Sequence, residues 1–313
     1  MVISFCLTIS LLLSLTNAFE VSMRTLDQDR QLSRDQIQFK GKLSFLFNIR
    51  DNLNMPAVWN KFFSEAPQEM YSIYYHSSFK SIINLDQQIT AFRVPRVRID
   101  SDEYDTFKAW TQLIKMATIN DKNQKFILLT DSSIPIFNFF TIYEAALSND
   151  YTLLQAAPFE LGKDTLFPTY SRLLSLFSSD EVLRHSATMI LRKDHAILLL
   201  KKNEEILNTF RRLRPMPDPN NVLIGTYLKK EGLSEELRNH CIAYNDFSTD
   251  FDSFDQLITY EDLGDAQIDC LFYSNVTRGT KIQDDAFQRI FKLGKPQAPK
   301  KQDDSESRQY DEL

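Results

Sequence analysis

The feature that most limits the fold is a series of short apolar segments, each followed by a polar turn and then a helical stripe. Leu43-Ser-Phe-Leu-Phe-Asn-Ile49 reads as a buried strand, and a polar loop over 50–54 follows it. Pro56 then suits the first turn of a helix that puts Val58, Trp59, Phe62 and Phe63 on one face. Residues 71–76 read as a second strand and 92–99 as a third. Over 104–117, Phe107, Trp110, Leu113, Ile114 and Ala117 fall on one helical stripe. Residues 125–130 form a short apolar strand ending at Asp131-Ser132-Ser133, with a helix over 136–147. Further on, the pattern predicts a strand over 188–191, a helix over 193–210 and a loop over 211–221 with three Pro. A helix over 222–230, a strand near 240–244, an Asp-rich loop and a strand over 270–276 complete the domain. Strands alternating with helices predict an α/β fold, and ligand chemistry then belongs at the carboxyl ends of the strands.

The two ends of the chain differ from this middle. Residues 2–15 carry no charge, Pro or Gly, which matches the apolar core of a signal peptide and is short for a membrane span. Thr16-Asn17-Ala18 offers a cleavage point after Ala18. The alternative is an uncleaved anchor, which would make a type II membrane protein of the endoplasmic reticulum or Golgi. The chain closes with Tyr310-Asp311-Glu312-Leu313, similar to a Lys-Asp-Glu-Leu retention signal read by a receptor. The expected organisation is a signal peptide over 1–18, a lead-in over 19–41, one α/β domain over 42–295 and a polar tail over 296–313. The expected location is the endoplasmic reticulum lumen, with the retention receptor as a partner.

Composition removes several function classes. Net charge is −6 with no basic stripe in the folded part, which argues against nucleic acid as a partner. With 7 Gly the chain has no Gly-rich phosphate loop. It also lacks a Gly-x-Ser-x-Gly elbow. Cys6 would leave with the signal, so Cys241 and Cys270 remain, either as a disulfide or as two buried thiols. With few His and Cys no zinc cluster is visible. Asn275-Val276-Thr277 is a glycosylation sequon, reachable only in an exported chain.

Three strand ends draw attention on geometric grounds. They are His76-Ser77-Ser78, Asp131-Ser132-Ser133 and the Pro-rich loop with Asp218, Asn220 and Asn221. Hydroxyls and amides there suit a sugar or a ribose. The competing reading is helix capping for Asp131-Ser132-Ser133 and a structural histidine at His76. Asp100-Ser101-Asp102 and Asp250-Phe251-Asp252 each offer paired carboxylates that could hold a divalent cation, or simply be solvated.

The ordered blocks resemble the core-2/I-branching β-1,6-N-acetylglucosaminyltransferases. FLFNIRDNLNMPAVWNKFF (45–63) is similar to that family's opening strand and Trp-Phe-Phe helix, and IYYHSS (73–78) to its next strand. KFILLTDSSIPIFNFFTIYEAAL (125–147) is the strongest match, to Phe-x-Leu-Leu-Ser-x-x-x-Ile-Pro followed by a Phe and a Tyr. RHSATMILRKDHAILLL (184–200) and PMPDPNNVLIGTYL (215–228) resemble two later blocks in the same order. The resemblance implies a GT-A-like single domain with a mainly parallel central sheet flanked by helices. It implies transfer of a GlcNAc-like sugar from a UDP-sugar to a glycan or glycoprotein acceptor, with inversion, no metal and no cofactor. The chain departs from the family at two places. Asn221 stands at the position of the catalytic Glu, and Ser274-Asn275 where Arg-Lys is expected. A neutral amide is no general base, so Asp218 takes that role in the expected site. Arg278 and Lys281 become the diphosphate clamps, while His76, Ser77, Asp131 and Ser132 touch the donor. The alternative function is a catalytically inactive lumenal relative that binds glycans or assists folding.

Overall fold

The computed structural model describes residues 32–79, 82–97, 104–158, 172–213, 219–244, 257–267 and 270–291. They belong to the unit Leu32–Lys292. The expected export segment and tail, Asp218, and both Asp-x-Asp pairs (Asp100 with Asp102, Asp250 with Asp252) lie outside the described residues. No helix among the described residues is long and apolar enough to cross a membrane.

The first half alternates strand and helix. β1 (Lys42–Ile49) leads into α1 (Pro56–Ser64), β2 (Tyr71–Ser77), β3 (Ala91–Arg93), α2 (Asp105–Ala117) and β4 (Asn123–Thr130). β1 pairs in parallel with both β2 and β4, and β2 with β3. Then come β5 (Ile134–Pro135), α3 (Phe139–Leu147), β6 (Thr152–Pro158), β7 (Leu183–Arg192), α4 (Lys193–Lys201), α5 (Asn203–Arg211), α6 (Leu223–Lys230) and β8 (Leu237–Asn239). The central sheet runs β3-β2-β1-β4-β7-β6-β8, and β7 is antiparallel to both neighbours. This is the expected α/β, GT-A-like architecture with a mostly parallel sheet flanked by helices.

The last part is built of small pieces: β9 (Ala243–Tyr244), β10 (Leu257–Ile258), α7 (Tyr260–Gln267), β11 (Phe272–Tyr273), β12 (Lys281–Ile282) and α8 (Asp284–Phe291). β11 sits between β5 and β9, and β10 pairs with β12. Cys241 and Cys270, just ahead of β9 and β11, form a disulfide with Cα atoms 4.6 Å apart.

Alternation along the strands feeds two different cores. Phe45 and Phe47 face α1, where Phe45 meets Phe63 at 5.0 Å and Phe47 meets Trp59 at 4.8 Å between ring centroids. Phe139 of α3 closes the same cluster at 5.5 Å from Phe62. Leu46, Phe126 and Leu128 face the other way, onto Trp110 of α2, Phe210 of α5 and Tyr227 of α6. Each of these rings is essentially fully buried, a gain of about 2–3 kcal/mol apiece.

Several boundaries differ from the sequence reading. Of the third strand read over 92–99, the described residues form Ala91–Arg93, an edge strand with one neighbour, and residues 98–99 lie outside the described residues. The helix read over 193–210 breaks at Lys202, whose φ −102 and ψ 7 end α4 and start α5. β6 escaped the sequence reading, as did α7 and α8. The strand read over 270–276 shrinks to Phe272–Tyr273.

Candidate functional site

The sheet order decides where a ligand can sit. From β1 the chain steps outward to β2 and β3, then returns to β4 on the other side of β1. The direction of winding reverses between β1 and β4, and in open α/β sheets it is past the carboxyl ends of the strands at such a point that the ligand crevice lies.

Two polar turns meet at that crevice. The Arg50 N–H donates to Asp131 Oδ2 at 3.1 Å, and the Asn54 N–H donates to the Asp131 carbonyl at 3.0 Å. Thr130 Oγ1 lies 2.9 Å from Ser132 Oγ and 3.2 Å from Ser133 Oγ. The Trp59 indole N–H donates to the Ser133 carbonyl at 3.0 Å and so ties α1 to this turn. The capping reading of Asp131-Ser132-Ser133 is corrected here. The turn runs into β5, and α3 is capped instead by Asn138, whose Oδ1 accepts the Thr141 N–H at 2.9 Å. An Asn seven residues past Asp131 in an otherwise apolar run was the signal for that cap.

At the end of β2, His76 is 1% exposed. Its Nε2 accepts the Val97 N–H at 3.2 Å, so Nδ1 carries the proton and donates to Asn48 Oδ1 at 3.2 Å. Burial, with Arg96 and Arg93 nearby, holds this imidazole below the ordinary histidine value. Both ring nitrogens are therefore used within the protein, locking β1, β2 and the segment after β3 together. The Ser77 hydroxyl donates to the Arg50 carbonyl at 3.5 Å.

The opposite wall comes from β7. Because β7 runs antiparallel to β4, its first residues lie at the same end of the sheet as Asp131. His185 there is fully enclosed. Its Nδ1 donates to the Ser186 carbonyl at 2.9 Å and its Nε2 accepts the Gly225 N–H at 3.0 Å. Desolvation pulls this imidazole down to about 4, only partly offset by the Ser186 carbonyl. A Cβ on Gly225 would meet His185 Cδ2 at 2.7 Å, so the close approach of α6 to β7 requires glycine. Thr226 Oγ1 accepts the Leu183 N–H at 3.0 Å. Just ahead of α6, residues Pro219–Asn221 form a 3₁₀ turn that buries Pro219 and exposes Asn221. Asn220 Oδ1 in that turn is buried with no hydrogen-bond partner among the described residues.

A third piece arrives after β11. The Ser274 N–H donates to the Tyr244 carbonyl at 2.8 Å, and the chain then leaves extended geometry at Asn275, φ 64. Ser274 and Asn275 therefore do not alternate along a strand as the sequence pattern implied. A left-handed Asn is uncommon and is held by its surroundings. The Val276 N–H donates to the Ser132 carbonyl at 3.1 Å, and Asn54 Nδ2 donates to the Val276 carbonyl at 2.7 Å. Arg278 reaches back to Asp51 at 3.1 Å, with 69% of its side chain exposed.

This end of the sheet carries Asp131, Ser132 and Arg278, with Asn221 at the same end, whereas His76 and Ser77, expected to touch the donor, are 1% and 2% exposed with their polar atoms bonded inside the protein. Lys281 stands apart on β12, opposite Leu257, and no described hydrogen bond or ion pair joins it to the crevice. Sequence reasoning passed over Asn48, Asp51, Asn54 and His185. A polar residue in the last positions of an apolar strand, as at Asn48, was the available signal.

Among the described residues, Asp194, His195 and Glu236 lie close enough together to hold a metal ion. Arg192 already supplies the cation there, with bonds of 2.6 Å to both carboxylates, and the group sits at the opposite end of β4 from Asp131.

The family model described as Core-2/I-Branching enzyme matches residues 43–268. That span runs from β1 through α7 and includes the strand ends of β1, β2, β4 and β7 and the Pro219–Asn221 turn, but stops short of the residues after β11, Ser274, Asn275, Arg278 and Lys281 among them. The chain is also similar to Glycosyltransferase BC10 of Oryza sativa subsp. japonica, 24% identical over 233 residues, covering 65% of this chain. It spans 57% of that relative's length.

Proposed function

The chain belongs to the core-2/I-branching enzyme family, and on that premise we propose that it transfers a GlcNAc-like sugar from a UDP-sugar to a hydroxyl of a glycan or glycoprotein acceptor. The observation that carries this reading is the match of 43–268 to a fold whose winding reverses at a polar crevice. A donor nucleotide laid across the ends of β1 and β4 would meet the Asp131-Ser132 turn, preformed by backbone donors from Arg50 and Asn54.

The chemistry asks for two groups. A base must take the proton of the acceptor hydroxyl as its oxygen attacks the anomeric carbon. A positive group must then receive the charge that develops on the departing diphosphate as the old glycosidic bond breaks. Asn221 cannot be that base, since a neutral amide has no proton affinity at pH 7. Asp218, three residues before it, takes the role. Arg278, exposed and bonded at its tip to Asp51, can swing to the diphosphate; Lys281 would need a longer reach. Attack opposite the leaving group inverts the anomeric centre, and with the cationic role met by side chains the reaction needs no metal.

The test is a panel of UDP-sugars offered to the purified chain with and without EDTA, read by thermal shift and by release of UDP. At least one donor should raise the melting temperature and turn over equally in both conditions. No shift with any UDP-sugar overturns the proposal. Asp218→Asn should abolish turnover and leave the shift in place; unchanged turnover removes Asp218 from the base role.

A further inference from the structure

The ends of β1, β2 and β3 carry cations that the transfer chemistry leaves unused. β1 and β3 lie on either side of β2, and three exposed arginines surround the end of β2. Arg50 follows β1, beside Ser78, whose N–H donates to the Ile49 carbonyl at 3.3 Å. Arg93 closes β3 and donates from a terminal nitrogen to the Phe79 carbonyl at 2.7 Å. Arg96 comes just before Val97, whose N–H donates to His76 Nε2. The backbone under Arg50 is held at both ends, its N–H by Asp131 Oδ2 and its carbonyl by the Ser77 hydroxyl. With neighbouring strands about 4.8 Å apart, Arg50 and Arg96 flank β2 with their main chains about 10 Å apart.

Charge at this end is unevenly matched. The Asp51 carboxylate is engaged by Arg278 at 3.1 Å, and Asp105, at the start of α2, by Lys108 at 2.9 Å. Asp131 spends Oδ2 on the Arg50 N–H rather than on a guanidinium. Among the described residues the side chains of Arg50 and Arg96 make no hydrogen bond or ion pair. Of the three carboxylates, Asp131 is thus the one with no paired cation among the described residues, set against Arg50, Arg93 and Arg96. Their field reaches inward: after burial, the larger cause, the charges of Arg96 and Arg93 hold the His76 imidazole below its ordinary value.

An apolar surface adjoins these charges. Phe79 is 56% exposed, with its carbonyl held by Arg93. An aromatic ring left in water gains when an apolar face covers it. A pyranose offers such a face in its C–H groups, and a guanidinium fork matches a carboxylate or a sulfate. An acidic sugar combines the two.

We propose that the ends of β1, β2 and β3 form an acceptor subsite for an acidic glycan, with its carboxylate or sulfate between Arg50 and Arg96 and a sugar ring against Phe79. Arg50 joins this subsite to the Asp131 turn assigned to the donor. Calling the glycan the acceptor rests on the transferase reading; its binding does not.

The test titrates the purified chain by calorimetry at about 0.15 M salt with three probes: a hyaluronan tetrasaccharide, the same tetrasaccharide with its carboxyl groups reduced to alcohols, and a sulfated chondroitin tetrasaccharide. The acidic probes should bind saturably and the reduced one about tenfold more weakly, the loss of a charge-assisted hydrogen bond. The tighter acidic probe assigns carboxylate or sulfate. Arg50→Ala and Arg96→Ala should each weaken the acidic probes about tenfold, and Phe79→Ala should weaken acidic and reduced probes alike. Arg34→Ala, at an exposed arginine in the 3₁₀ turn ahead of β1, should leave binding unchanged. Equal affinity for the acidic and reduced probes, full binding in both Arg50→Ala and Arg96→Ala, or an equal loss in Arg34→Ala overturns the proposal. Binding of UDP-sugars without binding of either acidic probe overturns the acceptor subsite alone. Binding of an acidic probe without response to any UDP-sugar overturns the transferase reading instead, and with it the acceptor role of the bound glycan.

Discussion

The two walls of the crevice are built by different means. The wall made by β1, β2 and β4 is a set of buried strand ends, where His76, Asn48, Ser77 and Asp131 are fastened to neighbouring backbone. The wall made by Pro219–Asn221 and the residues after β11 consists of turns, with Asn221 exposed, Asn275 left-handed and Arg278 largely in solvent. Parallel strands packed on both faces hold their ends in fixed positions. Turns standing on a few hydrogen bonds do not. A ligand laid across the crevice would therefore meet fixed contacts on one wall and movable charge on the other. The residues that the sequence resemblance expects to depart from the family pattern, Asn221, Ser274 and Asn275, all lie on the second wall.

If the first wall owes its rigidity to the aromatic core beneath it, removing Trp59 should break the contrast. Trp59 packs on Phe47 and Phe63 and holds the Ser133 carbonyl. Trp59→Ala should cost about 3–5 kcal/mol of stability in urea. Trp59→Phe keeps most of the ring and loses the indole donor, about 1 kcal/mol. That milder variant should speed hydrogen exchange of the Asn54 and Val276 amides, which donate into the 131–133 turn. Unchanged exchange there would mean that the first wall does not depend on this bond.

The second wall has one rigid anchor, His185, and it is sensitive to acid. The folded imidazole titrates near 4 and the unfolded one near its ordinary 6.5. Between these values the unfolded chain takes up a proton that the folded chain refuses, so stability is complete above about 6.5 and falls as pH drops toward 4. The loss from this residue is on the order of 3 kcal/mol. His76 and His195 are lowered in the same direction by burial and add to the slope. Urea unfolding of the wild type and of His185→Gln across this range isolates the His185 share. Equal slopes in the two proteins would show that His185 is not the anchor.

The contrast between walls also explains what the sequence could show. The strand ends were legible because β1, β2 and β4 are apolar runs broken abruptly by His76-Ser77 and Asp131-Ser132-Ser133. Periodicity and composition point to such places directly. The meaning of those residues was less legible. Asp131 looked like a helix cap because nothing local reveals that Ile134-Pro135 becomes a strand, paired with Phe272-Tyr273 far along the chain. The second wall was nearly illegible. Its geometry depends on long-range contacts such as Val276 to Ser132, on a left-handed Asn275, and on strands of two residues that carry no period. β6 escaped because its partners β7 and β8, not its own pattern, make it a strand.

The smallest expected effect on stability concerns the link between the walls. Arg278 and Asp51 meet at 3.1 Å, but the guanidinium is mostly exposed, and such a pair contributes at most about 0.5–1 kcal/mol. Arg278→Ala should therefore leave the unfolding midpoint almost unchanged. Its effect on donor binding should be far larger if Arg278 is the movable charge that meets the diphosphate, about tenfold in the dissociation constant for UDP. Asp51→Asn frees the guanidinium without removing it, so UDP should bind at least as tightly as to the wild type. Calorimetric titration of UDP into the three proteins separates these outcomes. Weak binding in both variants would make the Arg278–Asp51 pair a structural clasp between the walls. Unchanged binding in Arg278→Ala would leave the second wall without a described cation for the diphosphate, and Lys281 on β12 would become the next side chain to test.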